Sequence, residues 1–321
     1  MKSVAYQPWV HWYVVATAVA ALSLPILMGA LVTTTDAGMA FRDWPASDGQ
    51  NMFFYPWLKA AGDKFLEHGH RLAGSLIGML SIGLALLLWW KESRRWVQWL
   101  GAAVLAGVIV QGILGGQRVL LEDRGLAFVH GVFASWVFAL MCSVALFTSR
   151  GWLEPGGSTV RNSTWSTAWK WIALGTSLLI AFQYLLGALV RHHGTAVFEH
   201  AGFALLVAAA AVSLAWCARR SGIQWLRRPA WLLLALLFVQ IALGVFTYVV
   251  KFGFGSYVAQ YGSTLQTTVR TAHVLVGMLV WMTSVILTLR VWRCEGLYGG
   301  QTQSPRPREL SSALTLPGGV R

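Results

Sequence analysis

The sequence has little charge, few acids and almost no cysteine. Only 12% of its 321 residues are Asp, Glu, Lys or Arg, against 56% hydrophobic, far from the balance of a soluble globular domain. Twelve acids face 25 Lys and Arg, for a formal charge of +13. The basic residues stand in short clusters between apolar runs: Lys91, Arg94 and Arg95; Arg219, Arg220, Arg227 and Arg228; Arg290 and Arg293. Clusters of that kind belong to cytoplasmic loops that fix membrane orientation, and they argue against a nucleic-acid partner. The three cysteines, Cys142, Cys217 and Cys294, are far apart and form no C-x-x-C pair, which excludes a disulfide framework or a cysteine metal site. No H-E-x-x-H and no G-x-x-x-x-G-K-[ST] occurs, so zinc-protease and P-loop chemistry are excluded as well.

What is present is apolar sequence in lengths that span a bilayer. At about 20 residues per crossing, spans fall at roughly 12 to 32, 71 to 90, 97 to 116, 126 to 147, 170 to 190, 198 to 217, 229 to 250 and 271 to 292. The first is long enough to cross and lacks a convincing cleavage site, so it reads as a retained span rather than a signal peptide. Basic loops after spans two, four and six put both termini in the cytoplasm. Trp89, Trp90, Trp96, Trp99, Trp169 and Trp171 gather at the inner ends as an interfacial belt. The polar stretch SRGWLEPGGSTVRNSTWS divides the chain, giving an N-terminal half over 1–148, a linker over 149–168, a C-terminal half over 169–298 and a disordered tail over 299–321. Asn162-Ser163-Thr164 fits a glycosylation pattern but lies on the expected inner side, where it has no use.

The halves share short matches in the same order: GALVTTT (29–35) with GALVRHH (187–193), LEH (66–68) with FEH (198–200), VQGILG (110–115) with VQIALG (239–244). Four helices return the chain to its starting side, so the repeats are parallel. The expected fold is an all-α integral membrane protein of eight transmembrane helices, arranged as two parallel-repeat four-helix bundles.

The histidines follow this repeat. His11 opens the first span on the inner side. His68 and His70 begin span two, His130 span four, His200 span six and His273 span eight, all at one depth in the outer leaflet. A single intramembrane histidine is often a packing residue. Four equivalent ones mark a functional arrangement, and two imidazoles from facing helices are the axial ligands that a low-spin heme iron takes. His70 with His130 and His200 with His273 then form one pair per half. Adjacent His192 and His193 suit a copper site less well, since neighbouring side chains on a helix point about 100° apart. Glu67 shares a helical face with His70; it can tune that histidine, relay a proton, stabilise a cationic intermediate, or simply cap the helix. Arg71 and Arg191 lie at the same boundary, placed to pair with propionates or to snorkel toward headgroups. Gln111 and Gln240 occupy matching depths as candidate helix-to-helix hydrogen bonds.

The run LVTTTDAGMAFRDWP (31–45), followed by EHGHR (67–71) and then FVHG, FEHAG and TAHVLVG, resembles the heme A synthase (CtaA-type cytochrome oxidase assembly) family across the membrane region. The resemblance implies an oxidoreductase of the cell (inner) membrane that converts a methyl group of heme O to a formyl group for terminal oxidases. It further implies His70, His130 and Arg71 around the substrate heme, Glu67 as the catalytic carboxylate, and heme b as cofactor on His200 and His273. Asp36, Asp43 and Trp44 would belong to an outer loop covering the first-half pocket. Heme O synthase and the oxidase-assembly machinery are the implied partners. Many relatives carry a cysteine pair in that loop; here the stretch from Thr33 to Gly69 has none, which removes thiol-based electron transfer there. His68 is an alternate to His70, and His192 or His193 to the second-half ligands. The electron acceptor is left open, as is a homo-oligomer. The rival readings are a non-catalytic diheme b-type cytochrome, which gives Glu67 and Asp-Trp-Pro no task, a heme carrier for oxidase assembly, and a transporter with parallel repeats, which leaves the histidine symmetry unexplained.

Overall fold

The computed structural model describes residues 5–154 and 166–298. Among them, eight helices are long and apolar enough to cross a membrane: α1 Pro8–Thr34, α2 Gly62–Lys91, α3 Arg95–Leu120, α4 Arg124–Thr148, α5 Ala168–His193, α6 Val197–Arg220, α7 Gln224–Phe252 and α8 Thr264–Tyr298. Each contains one expected span and extends past it at one or both ends. The chain is thus a multi-pass membrane protein. The glycosylation pattern, most of the linker and the whole C-terminal tail lie outside the described residues.

Local chemistry sets several helix ends. Pro8 takes the first turn of α1, where its missing N–H is not needed. Pro25 falls inside the same span, and the helix widens to a π-helical turn over Leu22–Ile26 around it. Asp123 caps α4 by accepting from the Gly125 and Leu126 amides. Gly194, left-handed at φ 70°, stops α5. Between α2 and α3, Arg94 grips Glu92 through two nitrogens at 2.9 and 2.6 Å and donates to the Phe147 carbonyl at 3.0 Å, fastening that turn to α4.

The helices close two rings. α1, α2, α3 and α4 each pack on the next, with α4 returning to α1; α5, α6, α7 and α8 do the same. Each ring buries its own core. One is built around Val14, Leu84, Leu88, Val97, Val104 and Met141, the other around Ala173, Ala211, Leu214, Leu226, Leu233 and Leu287. α8 joins the rings by packing on α1 and α4, and α5 by packing on α4. At that seam Trp281 crosses Trp136 edge to face and donates to the Ser135 carbonyl at 3.3 Å. Apolar side chains such as Leu76, Met79, Ile82 and Leu86 face outward from α2, as a lipid-facing surface requires.

Candidate functional site

The four histidines meet in two pairs at one end of the rings. His70 on α2 and His130 on α4 have ring centroids 6.1 Å apart at an interplanar angle of 82°. His200 on α6 and His273 on α8 have theirs 6.3 Å apart, also at 82°. His68 is not in the first pair. Two residues along a helix is about 200° of rotation, and His68 instead packs on Tyr55 and bonds Ser47 Oγ through Nδ1 at 3.0 Å.

Every imidazole presses against a glycine of a neighbouring helix: His70 on Gly29, His130 on Gly115, His200 on Gly187 and His273 on Gly244. A Cβ at those glycines would lie 2.9, 3.2, 3.0 and 3.2 Å from the imidazole Cε1, so any side chain there would displace the ring. The backbone carbonyls of Pro25, Gln111, Gln183 and Gln240, each four residues before its glycine, stand beside the four rings. Gln111 and Gln183 also donate to the backbone carbonyls of His130 and His200 at 3.2 and 2.8 Å, and Gln240 Nε2 lies 3.3 Å from His273 Nε2. The signal is legible once seen: PILMG, QGILG, QYLLG and QIALG are one pattern on α1, α3, α5 and α7. Sequence reasoning paired Gln111 with Gln240 but missed Gln183 and all four glycines. It also aligned LEH with FEH, which sets His68 against His200; the structural counterpart of His200 is His70.

The first pair lies beneath a loop, residues 35–61, held by α2. Glu67 is buried, with Oε2 accepting from the Ala40 and Phe41 amides at 2.7 and 3.3 Å and Oε1 bound to Arg71 at 2.9 Å. It is the sixth residue of α2, whose N-cap is Ala61, so it does not cap the helix. Arg71 spends its other terminal nitrogen on the Asp43 and Ala46 carbonyls at 3.0 and 2.7 Å and stacks over Phe41. Asp43 turns back to accept from the Asp48 and Gly49 amides. Trp44 lies flat against Gly116 of α3. Asp36 sits at the loop's start with φ 61°. Farther out, Asp48 meets Lys64 at 2.6 Å. The Lys64 hydrogen bond holds the Asp48 carboxyl below the usual carboxylate range, and partial burial followed by Asp48 pushes the Tyr55 phenol up. Arg118 of α3, another residue the sequence reading passed over, donates to the Gly38 carbonyl at 3.0 Å and so ties the loop to the far side of the ring.

His192 and His193 lie away from the second pair. His192 reaches across the seam to α4, where a Cβ on Gly131 would be 3.2 Å from its Nε2, and both rings pack on Phe128. α5 turns its last two residues toward the first ring, so the structure does not bring them to His200 and His273. Among the described residues, no group of three or more His, Cys, Asp or Glu gathers as a polydentate metal site.

An iron held between two imidazoles suits both pairs. Metal-to-imidazole bonds of about 2 Å, plus roughly 1.1 Å from nitrogen to ring centre, place the centroids roughly 6 Å apart. The glycines make a cradle around each imidazole that a Cβ would fill. The donor set is paired imidazole, as low-spin heme iron takes.

Paired intramembrane imidazoles in two helical rings are a donor set that suits heme iron. The profile of the COX15-CtaA cytochrome oxidase assembly protein family matches residues 58–197. The chain is 29% identical to the heme A synthase of Symbiobacterium thermophilum over 70% of its own length and 81% of that protein. It is 24% identical to the heme A synthase of Lysinibacillus sphaericus over 88% of each. A shorter likeness, 30% over 36% of the chain and 26% of the relative, is to the protoheme IX farnesyltransferase of Halobacterium salinarum. Over most of its length the chain is thus similar to heme A synthases.

Proposed function

We propose that the protein is a heme A synthase of the cell membrane, with both termini cytoplasmic, and that its two rings are a parallel repeat with divided tasks. The first ring holds heme O between His70 and His130 beneath the loop; the second holds heme b between His200 and His273. The observation that carries the reading is the matched geometry of the two histidine pairs, joined to a buried carboxylate at only one of them.

Converting a methyl to a formyl group (R–CH3 + H2O → R–CHO + 4 H+ + 4 e−) takes an oxygen atom from an admitted water molecule and passes the electrons to an acceptor outside the chain, which side chains cannot do unaided. Heme b, when bound, supplies one-electron redox capacity. The protein supplies the rest. His70 and His130 fix the porphyrin's iron, the glycines set the depth of each ring, and the loop packed by Phe41, Trp44 and Tyr55 keeps bulk water from the reacting edge. Glu67 lies one helical turn from His70 on the same face. Its carboxylate either accepts a proton from the reacting carbon or stabilises positive charge there. Arg71 and the Ala40 and Phe41 amides orient it. Trp44 and Asp43 act by shaping and closing the loop.

Heme O has to reach the first ring from a prenyl-transfer reaction, and a heme O synthase is the partner we assign to that step; the farnesyltransferase likeness supports it. The product goes to oxidase assembly. The test is to express the chain with a heme O synthase, purify it, extract its hemes and separate them by chromatography. Formyl and hydroxymethyl derivatives together with heme b are expected. Recovery of unmodified heme O and heme b alone would overturn the proposal.

A further inference from the structure

Arg191 on α5 and Arg270 on α8 converge on the last turn of α1. Arg191 Nη2 donates to the Ala30 carbonyl at 2.8 Å and lies 3.4 Å from Thr34 Oγ1; Arg270 Nη1 donates to the Thr34 carbonyl at 3.3 Å. Thr271 adds a 3.4 Å contact to the same Thr34 hydroxyl. Cations at a helix C-terminus are favourable, so part of this arrangement is accounted for. The rest is not. Two guanidiniums share one residue and repel each other, while no carboxylate among the described residues lies within 4 Å of either. From residue 169 to 298 the sequence has only Glu199 and Glu295. Glu199 is exposed in the first turn of α6, and Glu295 is at the opposite end beside Lys170. Each guanidinium has five N–H donors, and most have no protein acceptor in these contacts.

Position says what the charge is for. Arg191 is four residues after Gly187, the glycine under His200, so it lies one turn farther along the same face of α5. Arg270 is three residues before His273, one turn farther along α8 in the same direction. Both therefore stand about 5 Å beyond the level of the second imidazole pair, on the side toward the short 194–196 connection. In the first ring the corresponding charge is already committed, because Arg71 is bonded to Glu67 and to loop carbonyls.

We propose that Arg191 and Arg270 form a binding site for a pair of carboxylates, the propionates of the porphyrin held by His200 and His273. This rests on the heme reading of the second ring and adds the group that sets the porphyrin's orientation. It also makes α1, an element of the first ring, part of the second site: the two arginines are held in place by its Ala30 and Thr34 carbonyls.

The test uses the full chain in lipid nanodiscs, prepared without heme and carrying His70→Ala and His130→Ala so that only the second pair reports. It is titrated with hemin and with hemin dimethyl ester, followed by the bis-imidazole absorption spectrum. With both arginines present, hemin should bind at least about tenfold more tightly than the diester. With Arg191→Gln and Arg270→Gln that preference should vanish, whereas Arg191→Lys and Arg270→Lys, which keep the charge on α1, should retain part of it. Equal affinity for hemin and diester in the arginine-intact protein, with the bis-imidazole spectrum intact, would overturn the arginine site and leave the heme reading standing. So would native mass spectrometry showing an anionic phospholipid lost on the Gln substitutions with hemin affinity unchanged, since the anion would then be a lipid phosphate. No bis-imidazole spectrum with either ligand would overturn the heme reading and this site together.

Discussion

The two rings place their histidines alike and surround them differently. At the histidine end the first ring has Asp36, Asp43, Asp48, Asp63, Glu67, Glu122 and Asp123, and a loop from 35 to 61 whose backbone is bonded to Glu67 and Arg71. The second joins α5 to α6 through residues 194–196, has Glu199 as its single acid there, and among the described residues gives Arg191 and Arg270 no carboxylate partner. On the proposed reading, matched histidine pairs with unequal surroundings suit two hemes of different fate, with a covered carboxylate beside one and a fixed position for the other.

That contrast can be broken at several strengths. The largest effect should come from His200→Ala or His273→Ala, each expected to deplete heme b from the purified protein while His70→Ala or His130→Ala leaves it; full retention of heme b in either second-ring variant, read by pyridine hemochrome, would end the assignment. Next, Gly187→Val or Gly244→Val should drive the imidazole off its cradle and lower heme b occupancy several-fold, overpacking of this kind costing about 1–3 kcal/mol. The same change at Gly29 or Gly115 should spare heme b, so loss from all four alike would show general misfolding instead of local crowding. A smaller loss is expected from Gln183→Leu, which removes the 2.8 Å bond to the His200 carbonyl, worth about 1 kcal/mol. Thermal unfolding followed by heme absorbance should register it as a lower midpoint, and an unchanged midpoint would make that bond idle.

The smallest effect concerns pH and the loop. The Asp48 carboxyl is held low by Lys64, so the bridge contributes fully above the ordinary carboxylate range and is lost only as pH falls through the depressed value. Both side chains are substantially exposed, at 40% and 43%, and salt screens such a pair. Protease nicking of residues 48–60 should therefore increase only in acid, and Asp48→Asn should bring that behaviour to neutral pH. No difference between wild type and Asp48→Asn at neutral pH would show that the bridge does not hold the loop.

Much of this was legible beforehand because membrane spans and intramembrane histidines are costly features with few explanations. The eight crossings, the pairing of His70 with His130 and of His200 with His273, and the preference for His70 over His68 all follow from length and helical periodicity. The loop contacts were not legible. Glu67 reads as a helix cap, a proton relay or a charge stabiliser until α2 is seen to begin five residues earlier and the amides of Ala40 and Phe41 are seen to fold back onto it. His192 points across the seam, which no spacing within α5 announces. Arg118 and Arg270 look like ordinary boundary arginines because their partners are backbone carbonyls of α1 and of the 35–61 loop, and carbonyls leave no mark in sequence. The cradle glycines were visible in four copies but hidden among 33 glycines; knowing which ones touch an imidazole is what separates them.

The division of labour between the rings comes down to Glu67. Glu67→Gln keeps the side chain's size and its acceptor toward the loop amides while removing the charge. The protein should be expressed with a heme O synthase in wild-type and Glu67→Gln forms, and the extracted hemes quantified by chromatography. The account predicts heme b in equal amount from both, formyl heme from the wild type, and unconverted heme O from the variant. Formyl heme from Glu67→Gln at the wild-type level would contradict it.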